Sequence, residues 1–228
     1  MARMVWLWIL SLVAFCDAQK EIMKFKLLEE VANNTVVRDI SKSLKIQVLS
    51  SIEGKTHYYF LNGSLKDIFR IDSNGLIRTT AARIDRESRD TYEFYVIARK
   101  GDNNMVIQAV EIKILDVNDH TPKFTKQVYV GEVKEYSRAG KFILNVIATD
   151  KDIGTNGELV YSLQIDPRYK ELFMLDARTG ELRTNAVLDY EFSKDYKLQV
   201  TARDKGPGLN SSVAMVIVKV SVHCLHRV

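Results

Sequence analysis

The stretch "FRIDSNGLIRTTAARIDRE", residues 69–87, occurs a second time in this chain in altered form. Its counterpart is "FMLDARTGELRTNAVLDYE", residues 173–191, and the two stretches begin 104 positions apart. The segments that follow them, "TYEFYVIAR" and "DYKLQVTAR", keep the same offset. Agreement at so many positions predicts two tandem copies of one module. A period of about 100 residues indicates independent domains, because solenoid repeats are shorter.

The pattern within each copy is typical of β-strands. "EFYVIA" and "KLQVTA" alternate apolar and polar positions and are rich in β-branched and aromatic residues. Asn74-Gly75 and Thr179-Gly180 are predicted hairpin turns, where a residue with positive φ is needed. About seven short strands per copy predict an all-β fold of two tandem seven-stranded β-sandwich domains.

Composition fits two globular domains in one chain. The 228 residues are 46% hydrophobic and 27% charged, which suits two domains of about 100 residues each. The formal net charge is +4, and basic and acidic residues are interspersed. No basic block of the kind found in nucleic-acid or membrane-surface binders is present in the sequence. We therefore expect no nucleic-acid partner.

The N-terminal residues have the pattern of a signal peptide. Arg3 precedes a 12-residue apolar run, and Cys16 and Ala18 are small residues where signal peptidase reads the chain. We predict a signal peptide at residues 1–18 with cleavage before Gln19. The apolar run is short for a bilayer span, and an uncleaved anchor is the alternative. Cleavage would leave Cys224 as a single cysteine, so no internal disulfide is expected. Three sequons also favour the secretory route and are predicted N-glycosylation sites, namely Asn33, Asn62 and Asn210.

Acidic residues recur at matching places in the two copies and in the seam between them. The first copy carries Glu30, Asp85 and Glu87, and the second carries Glu135, Asp189 and Glu191 in the same order. The seam adds Asp116, Asn118 and Asp119, and the second copy alone adds Asp150, Asp152, Asn156 and Asp204. Ca²⁺ takes about six to eight oxygen ligands, so a calcium site shared by two domains and their connector is one interpretation. The other is that these acids are solvated loop residues, because Asp and Asn favour turns.

The motifs "LDVNDHTPKF", "ATDKDIGTNGEL", "IDRE", "LDYE" and "TARDKG" resemble those of the cadherin extracellular repeat. The resemblance covers roughly residues 24–222. It implies a seven-stranded Greek-key β-sandwich for each copy and up to three Ca²⁺ ions at the junction. It also implies a division into repeat 1 at residues 19–118, a calcium-binding linker at 119–122, repeat 2 at 123–222 and an irregular tail at 223–228.

The resemblance further implies a role for individual residues at that junction. The ligands nearest the first repeat would be Glu30, Asp85, Glu87 and Asp119, and those of the ion nearest the second would be Asn118, Asp150, Asp152 and Asp204. Backbone oxygens would complete the shells from Val117, His120 and Asn156. His120 replaces the Asn that the family usually has there, and we expect this to be tolerated because the backbone supplies the ligand. Seven gathered carboxylates would repel one another without cations, so a mobile hinge without calcium and a stiff rod with it are expected.

The two copies differ in ways that limit where calcium can bind. The first copy has Lys100 where the second has Asp204, and it lacks the paired Asp, so no calcium site is expected at its top. The second copy keeps a weak partial second site of Glu135, Asp189 and Glu191, but it runs into "VSVHCLHRV" without a connector motif. The "HCLH" run has poor spacing for one tetrahedral zinc site and is interpreted as a tail.

These features predict a calcium-dependent cell–cell adhesion or recognition module. Its partner would be another cadherin, bound homophilically or heterophilically through repeat 1, and homophilic binding is the leading expectation. A secreted, truncated decoy of a full-length cadherin is the alternative. Paired carboxylates also serve glycoside hydrolysis, but these acids match a metal cluster, so no enzymatic activity is expected. The expected location is the secretory pathway and then the cell exterior, with a parent protein that crosses the plasma membrane once and no membrane insertion by this chain.

Overall fold

The structure is a computed structural model that describes residues 22–60, 65–80 and 82–222. The chain forms two compact units, Met1–Asp116 and Val117–Val228. The described part of the chain is nearly all β, and the prediction of an all-β fold is thereby confirmed. The predicted signal peptide, the sequon at Asn62 and the tail after Val222 lie outside the described residues.

The first unit is built from two sheets that enclose one core. Its described strands are β1 (Met23–Leu28), β2 (Val36–Asp39), β3 (Thr56–Phe60), β4 (Phe69–Ile71), β5 (Leu76–Thr79), β6 (Thr91–Lys100) and β7 (Asn104–Leu115). One sheet has the order β1-β7-β6-β3 and the other has the order β2-β5-β4. A short helix α1 (Leu44–Gln47) and a 3₁₀ helix (Val48–Ser51) connect β2 to β3. None of the helices in the described part of the chain has the length and apolar character to cross a membrane.

The second unit repeats this arrangement. Its strands are β8 (Lys123–Phe124), β9 (Val128–Lys134), β10 (Phe142–Asn145), β11 (Ala148–Thr149), β12 (Val160–Gln164), β13 (Phe173–Leu175), β14 (Glu181–Thr184), β15 (Asp195–Arg203) and β16 (Ser211–Ser221). A 3₁₀ helix spans Pro167–Leu172. The sheets have the orders β12-β15-β16-β9 and β10-β14-β13, with β8 and β11 paired separately. Strands β9, β10 and β12–β16 therefore correspond in order to β1–β7, and two tandem β-sandwich repeats are present as predicted.

Alternation along the long strands creates the two cores. In β6 the side chains of Tyr92 and Phe94 are buried, and in β15 Tyr196 is buried in the same way. Phe69 contacts Tyr92 edge-on with ring centroids 5.3 Å apart, and Phe173 contacts Tyr196 at 5.2 Å. The repeated sequence therefore builds the same aromatic core twice.

The predicted hairpin turns form where glycine supplies positive φ. Gly75 has φ 80° and Gly180 has φ 71°. Asp72 stabilises the first turn, because its Oδ1 accepts the backbone N–H of Asn74 at 2.8 Å. A Cβ on Gly180 would lie 2.2 Å from the backbone oxygen of Val146, so this position also needs glycine for close packing.

Candidate metal centre

An acidic cluster in the first unit forms around the turn between β5 and β6. The Glu87 N–H donates to Asp85 Oδ1 at 3.1 Å, and the Ser88 hydroxyl donates to Asp85 Oδ2 at 2.6 Å. A carboxylate that accepts the N–H two residues on bends the chain locally, as Asp residues commonly do in turns. One carboxylate oxygen each of Glu29, Asp85 and Glu87 lies within 4.8 Å of the others. Three converging carboxylates suit a hard cation such as Ca²⁺.

The structure brings Glu29 into this cluster, where the sequence pattern predicted Glu30. Glu29 is 2% exposed, and its Oε2 accepts the Arg86 N–H at 2.8 Å. Glu30 has φ 55°, and its carboxylate pairs with Arg83. The prediction had matched the wrong one of two adjacent glutamates to Glu135.

Strand register is the physical reason for this correction. The Glu29 N–H donates to the Leu115 carbonyl at 3.1 Å, and the Glu135 N–H donates to the Ser221 carbonyl at 2.9 Å. Glu29 is therefore the counterpart of Glu135 in the two units. The alternation of β1 contains a signal for this, since buried Leu27 lies two positions before Glu29 on the same face.

The surroundings of Glu87 and Asp85 in the first cluster shift the pKa values of their carboxyl groups. Burial raises the pKa of Glu87 to about 7, and the neighbouring Asp85 and Glu29 carboxyls add to the shift. The hydrogen bond from Ser88 lowers the pKa of Asp85. The Arg86 guanidinium contacts Glu87 and also Asp116 Oδ1, the latter at 2.5 Å. A bound cation would favour the charged form of Glu87, which burial and then the neighbouring carboxyls disfavour.

The second acidic cluster is defined by acids on two loops of the second unit, which are joined where the Lys205 N–H donates to the Thr155 carbonyl at 3.1 Å. The Asp152 N–H donates to Asp150 Oδ1 at 3.0 Å, and the Gly206 N–H donates to Asp204 Oδ1 at 3.1 Å. Asp152 is 6% exposed and Asp204 is 2% exposed. Within the described part of the chain, Oδ2 of Asp150 and Oδ2 of Asp204 are buried without a hydrogen-bond partner. Such oxygens are costly to bury unless a donor or a cation satisfies them, so this donor set fits a hard cation.

The segment that opens the second unit packs against these acids. The His120 N–H donates to Asp152 Oδ2 at 3.2 Å, and His120 Nδ1 lies 2.9 Å from Asp152 Oδ1. His120 Nδ1 also lies 2.7 Å from Asp119 Oδ1. Burial by itself would lower the pKa of His120, but the carboxylates of Asp152 and Asp119 outweigh it and raise that pKa. The sequence predicted only a backbone role for His120, whereas its imidazole also contacts the acids.

Amide side chains and a glycine hold this segment in place. Asn118 Nδ2 donates to the Pro207 carbonyl at 2.8 Å, and Asn210 Nδ2 donates to the His120 carbonyl at 2.9 Å. A Cβ on Gly206 would lie 2.4 Å from Asn156 Oδ1 and 2.7 Å from Asn118 Nδ2. The absence of a side chain at Gly206 therefore leaves room for the Asn156 and Asn118 amides in their present positions. Sequence reasoning missed the contribution of both Gly206 and Asn210.

The remaining predicted positions are less clustered. Glu191 N–H donates to Asp189 Oδ1 at 2.9 Å, and the charges of Asp189 and then Glu135 raise the pKa of the exposed Tyr136. Among the residues that the structure describes, Glu135, Asp189 and Glu191 are not a set with ligand atoms within 4.8 Å of one another. The predicted weak second site therefore lacks the close spacing found around Glu87.

Lys100 lies at the place in the first unit where the second unit has Asp204. Strand register supports this match, because Tyr58 pairs with Ala98 and Tyr161 pairs with Ala202. Lys100 and Asp204 each lie two positions after the alanine of their own unit. Lys100 is 8% exposed, and its Nζ donates to the Leu49 carbonyl at 3.1 Å. A fixed ammonium group thus occupies the top of the first unit.

The fold and the site together define a class of protein. The chain has two tandem β-sandwich repeats, and each repeat has an Asp-X-Glu turn after its fifth main strand. These features are typical of a modular repeat protein with acidic residues at the ends of its repeats. The family model described as "Cadherin domain" matches residues 25–115 and 129–221. The chain belongs to the cadherin family.

Individual relatives agree with this assignment. The chain is 30% identical to the fat-like cadherin-related tumor suppressor homolog of Drosophila melanogaster over 213 residues, which is 90% of this chain and 4% of that protein. It is 39% identical to human protocadherin gamma-A6 over 143 residues, which is 61% of this chain and 15% of that protein. The chain therefore spans a small part of the length of these relatives.

Solved structures of cadherin repeats have the same fold. The crystal structure of mouse Cadherin-23 EC22-24 matches with a TM-score of 0.74 and 27% identity, covering 90% of this chain and 64% of that chain. The structure of mouse clustered PcdhgC3 EC1-3 matches with a TM-score of 0.67 and 26% identity, covering 89% of this chain and 66% of that chain. These likenesses confirm the resemblance drawn from the sequence motifs. Cadherin repeats are modules of adhesion and recognition and generally bind Ca²⁺.

Proposed function

We propose that the chain is a calcium-dependent adhesion or recognition module of the cell exterior. The observation that carries this proposal is that Oδ2 of Asp150 and Oδ2 of Asp204 are buried without a hydrogen-bond partner among the described residues, and that Asp152 is buried as well. Buried carboxylates are retained where they are paired or coordinate a metal, and a cation with oxygen preference satisfies this set. The class of module follows from the cadherin family.

The proposed ligand set uses both acidic clusters. Asp116 pairs with Arg86 at the end of the first unit, and Asp119 follows it by three positions in sequence. Glu29 takes the role first assigned to Glu30. The proposed ligands are the carboxylates of Glu29, Asp85, Glu87, Asp119, Asp150, Asp152 and Asp204, the Asn118 amide, and the carbonyls of Val117, His120 and Asn156.

Up to three Ca²⁺ ions balance this set electrostatically. Seven carboxylates gathered at one junction would repel one another strongly, and six positive charges would nearly cancel them. We infer that calcium converts a mobile connection between the repeats into a stiff one. Extracellular modules of this kind bind calcium at about 10⁻⁴–10⁻³ M, so millimolar calcium outside cells would fill the sites.

A calcium titration of the full chain tests the proposal. At ten times the dissociation constant, calcium is expected to stabilise the fold by about 1.4 kcal/mol and to raise the melting temperature by several degrees. Asp152→Asn and Asp204→Asn are expected to weaken the response. Asp166→Asn is the matched control, because Asp166 is paired with Arg168 outside both clusters. An unchanged melting temperature up to 10 mM calcium in the wild-type protein would contradict the proposal.

Recognition is proposed to occur between cadherins through repeat 1, with homophilic binding as the first case to examine. Beads that display this chain are expected to aggregate in calcium and to disperse in chelator. Mixing them with beads that carry other cadherins separates homophilic from heterophilic binding. Free chain added in excess tests the decoy alternative, which predicts that it disperses beads coated with a full-length cadherin.

A further inference from the structure

The side-chain amide of Asn210 donates hydrogen bonds within the second unit. This half-buried Nδ2 donates to the His120 carbonyl at 2.9 Å, to Asn118 Oδ1 at 3.2 Å and to the Asn118 carbonyl at 3.4 Å. The two N–H groups of one nitrogen therefore reach both Asn118 and His120. These contacts join residues about 90 positions apart in sequence and fix the start of the unit against β16.

Asn210 is also the acceptor position of the sequon Asn210-Ser211-Ser212. An N-linked glycan would be attached to the same Nδ2 and would replace one of its two hydrogens. Oxygens already lie within hydrogen-bond distance of that nitrogen, so a sugar there would displace Asn118 or His120. The Ser212 hydroxyl is buried as well, without a partner among the described residues.

The first sequon has a different environment. Asn33 is exposed in the connection between β1 and β2. It can carry a glycan without disturbing the described core. Asn33 is therefore an exposed glycan acceptor, whereas the side-chain nitrogen of Asn210 already donates hydrogen bonds.

We propose that Asn210 is a positioning residue for the calcium site, and that its use by the linker excludes a glycan at this sequon in the folded protein. The amide orients the backbone oxygens of Asn118 and His120 and holds them near Asp152. The calcium part of this inference rests on the proposed function. The exclusion of a glycan rests only on the hydrogen bonds of Nδ2.

Peptide mapping of the chain secreted from animal cells tests which of the two asparagines carries a glycan. In the calcium-responsive fraction, Asn33 is expected to be modified and Asn210 to be unmodified. Ser212→Ala removes the sequon but keeps the amide, so no loss of glycan mass and no change in the calcium response are expected. Molecules modified at Asn210 before folding are expected to respond weakly to calcium. A glycan at Asn210 in most calcium-responsive molecules would overturn the proposal.

Affinity measurements test the positioning role. Asn210→Ala is expected to weaken calcium binding about tenfold, as loss of an outer-shell contact commonly does. Asn185→Ala is the matched control, because Asn185 Nδ2 donates to the Glu171 carbonyl at 3.0 Å within the same unit. The control is expected to retain wild-type affinity. Wild-type affinity in Asn210→Ala would refute the positioning role.

Hydrogen exchange separates this inference from the proposed function. The His120 amide, which donates to Asp152, is expected to exchange faster in Asn210→Ala than in the wild-type chain without calcium. If the wild-type protein binds no calcium, the proposed function fails while this difference still decides the role of Asn210. If Asn210→Ala does not fold, Asn210→Ser replaces it, because serine keeps one hydrogen-bond donor. The His120 amide is then expected to exchange at an intermediate rate. A wild-type exchange rate in Asn210→Ser would count against the positioning role of Asn210.

Discussion

At the scale of single residues, Glu87 shows how the protein fold prepares a carboxylate for a cation. Its pKa is raised to about 7 by burial, with Asp85 and Glu29 adjacent. Arg86 contacts Glu87 and partly offsets this effect. The charged form is therefore disfavoured without metal, and a divalent cation would reverse that preference.

This shift predicts a specific pH dependence. The raised pKa means that the stability contributed by this carboxyl is fully present below pH 4.5 and lost as the pH rises through about 7. Calcium needs the deprotonated form, so its affinity is expected to be weaker at pH 6 than at pH 8. Calorimetric titrations at the two pH values measure this, and Glu87→Gln is expected to reduce the difference. A pH-independent affinity in the wild-type protein would refute the prediction.

At the scale of elements, β1 decides which glutamate joins the cluster. Register against β7 places Glu29 inward and turns Glu30 toward Arg83. Two adjacent residues of the same type thereby obtain different roles. A shift of one residue in the strand would exchange them.

Exchanging each glutamate for glutamine tests this register. Glu29→Gln is expected to weaken calcium binding at least tenfold, because a ligand charge is lost from the buried cluster. Glu30→Gln is expected to leave the affinity within about twofold, because its carboxylate pairs with Arg83. Isothermal titration of the two variants side by side gives the answer. Equal losses in both variants would show that the cluster does not select between them.

The segment before β3 is a second element-scale difference between the units. The first unit has helix α1 and a 3₁₀ helix where the second has the Asp150 loop, and Lys100 anchors the 3₁₀ helix at Leu49. Lys100→Ala is expected to destabilise the first unit by about 1–3 kcal/mol, since the hydrogen bond from the charged Nζ to the Leu49 carbonyl is lost and that carbonyl keeps the Ile52 N–H as its donor. Urea unfolding measures the loss, and added calcium is not expected to restore it. Restoration by calcium would indicate a metal site at the top of this unit.

At the scale of the whole molecule, the two units have separate cores of the same design. Ile77 and Leu182 lie at equivalent places in β5 and β14, and both are fully buried. Each unit is therefore expected to unfold in its own transition when calcium is absent. Calcium shared by the two clusters is expected to couple the transitions.

Matched core variants test this coupling. Ile77→Ala and Leu182→Ala are each expected to cost about 2–5 kcal/mol in their own unit. Without calcium, calorimetry is expected to show one lowered transition and one unchanged transition for each variant. With calcium, the unchanged transition is expected to move as well. Independent transitions in saturating calcium would contradict a shared site.

Local chemistry made much of this protein predictable from its sequence. The repeat fixed the number of modules, and the alternation of apolar residues fixed the β class. The turn at Asp85 was also predictable from the sequence, because an Asp that accepts the N–H two residues on needs no partner from a distant part of the chain. The same holds for Asp150 and Asp204 in the second unit.

The sequence by itself therefore determined two β-sandwich modules of the cadherin family and the local turns at Asp85, Asp150 and Asp204. The tertiary structure decided between Glu29 and Glu30, because that choice depends on pairing with β7. It also gave Asn210 its partners, which lie about 90 positions away, whereas the sequon is a pattern of three adjacent residues. Contacts between distant segments depend on the folded backbone, and a local pattern cannot specify them.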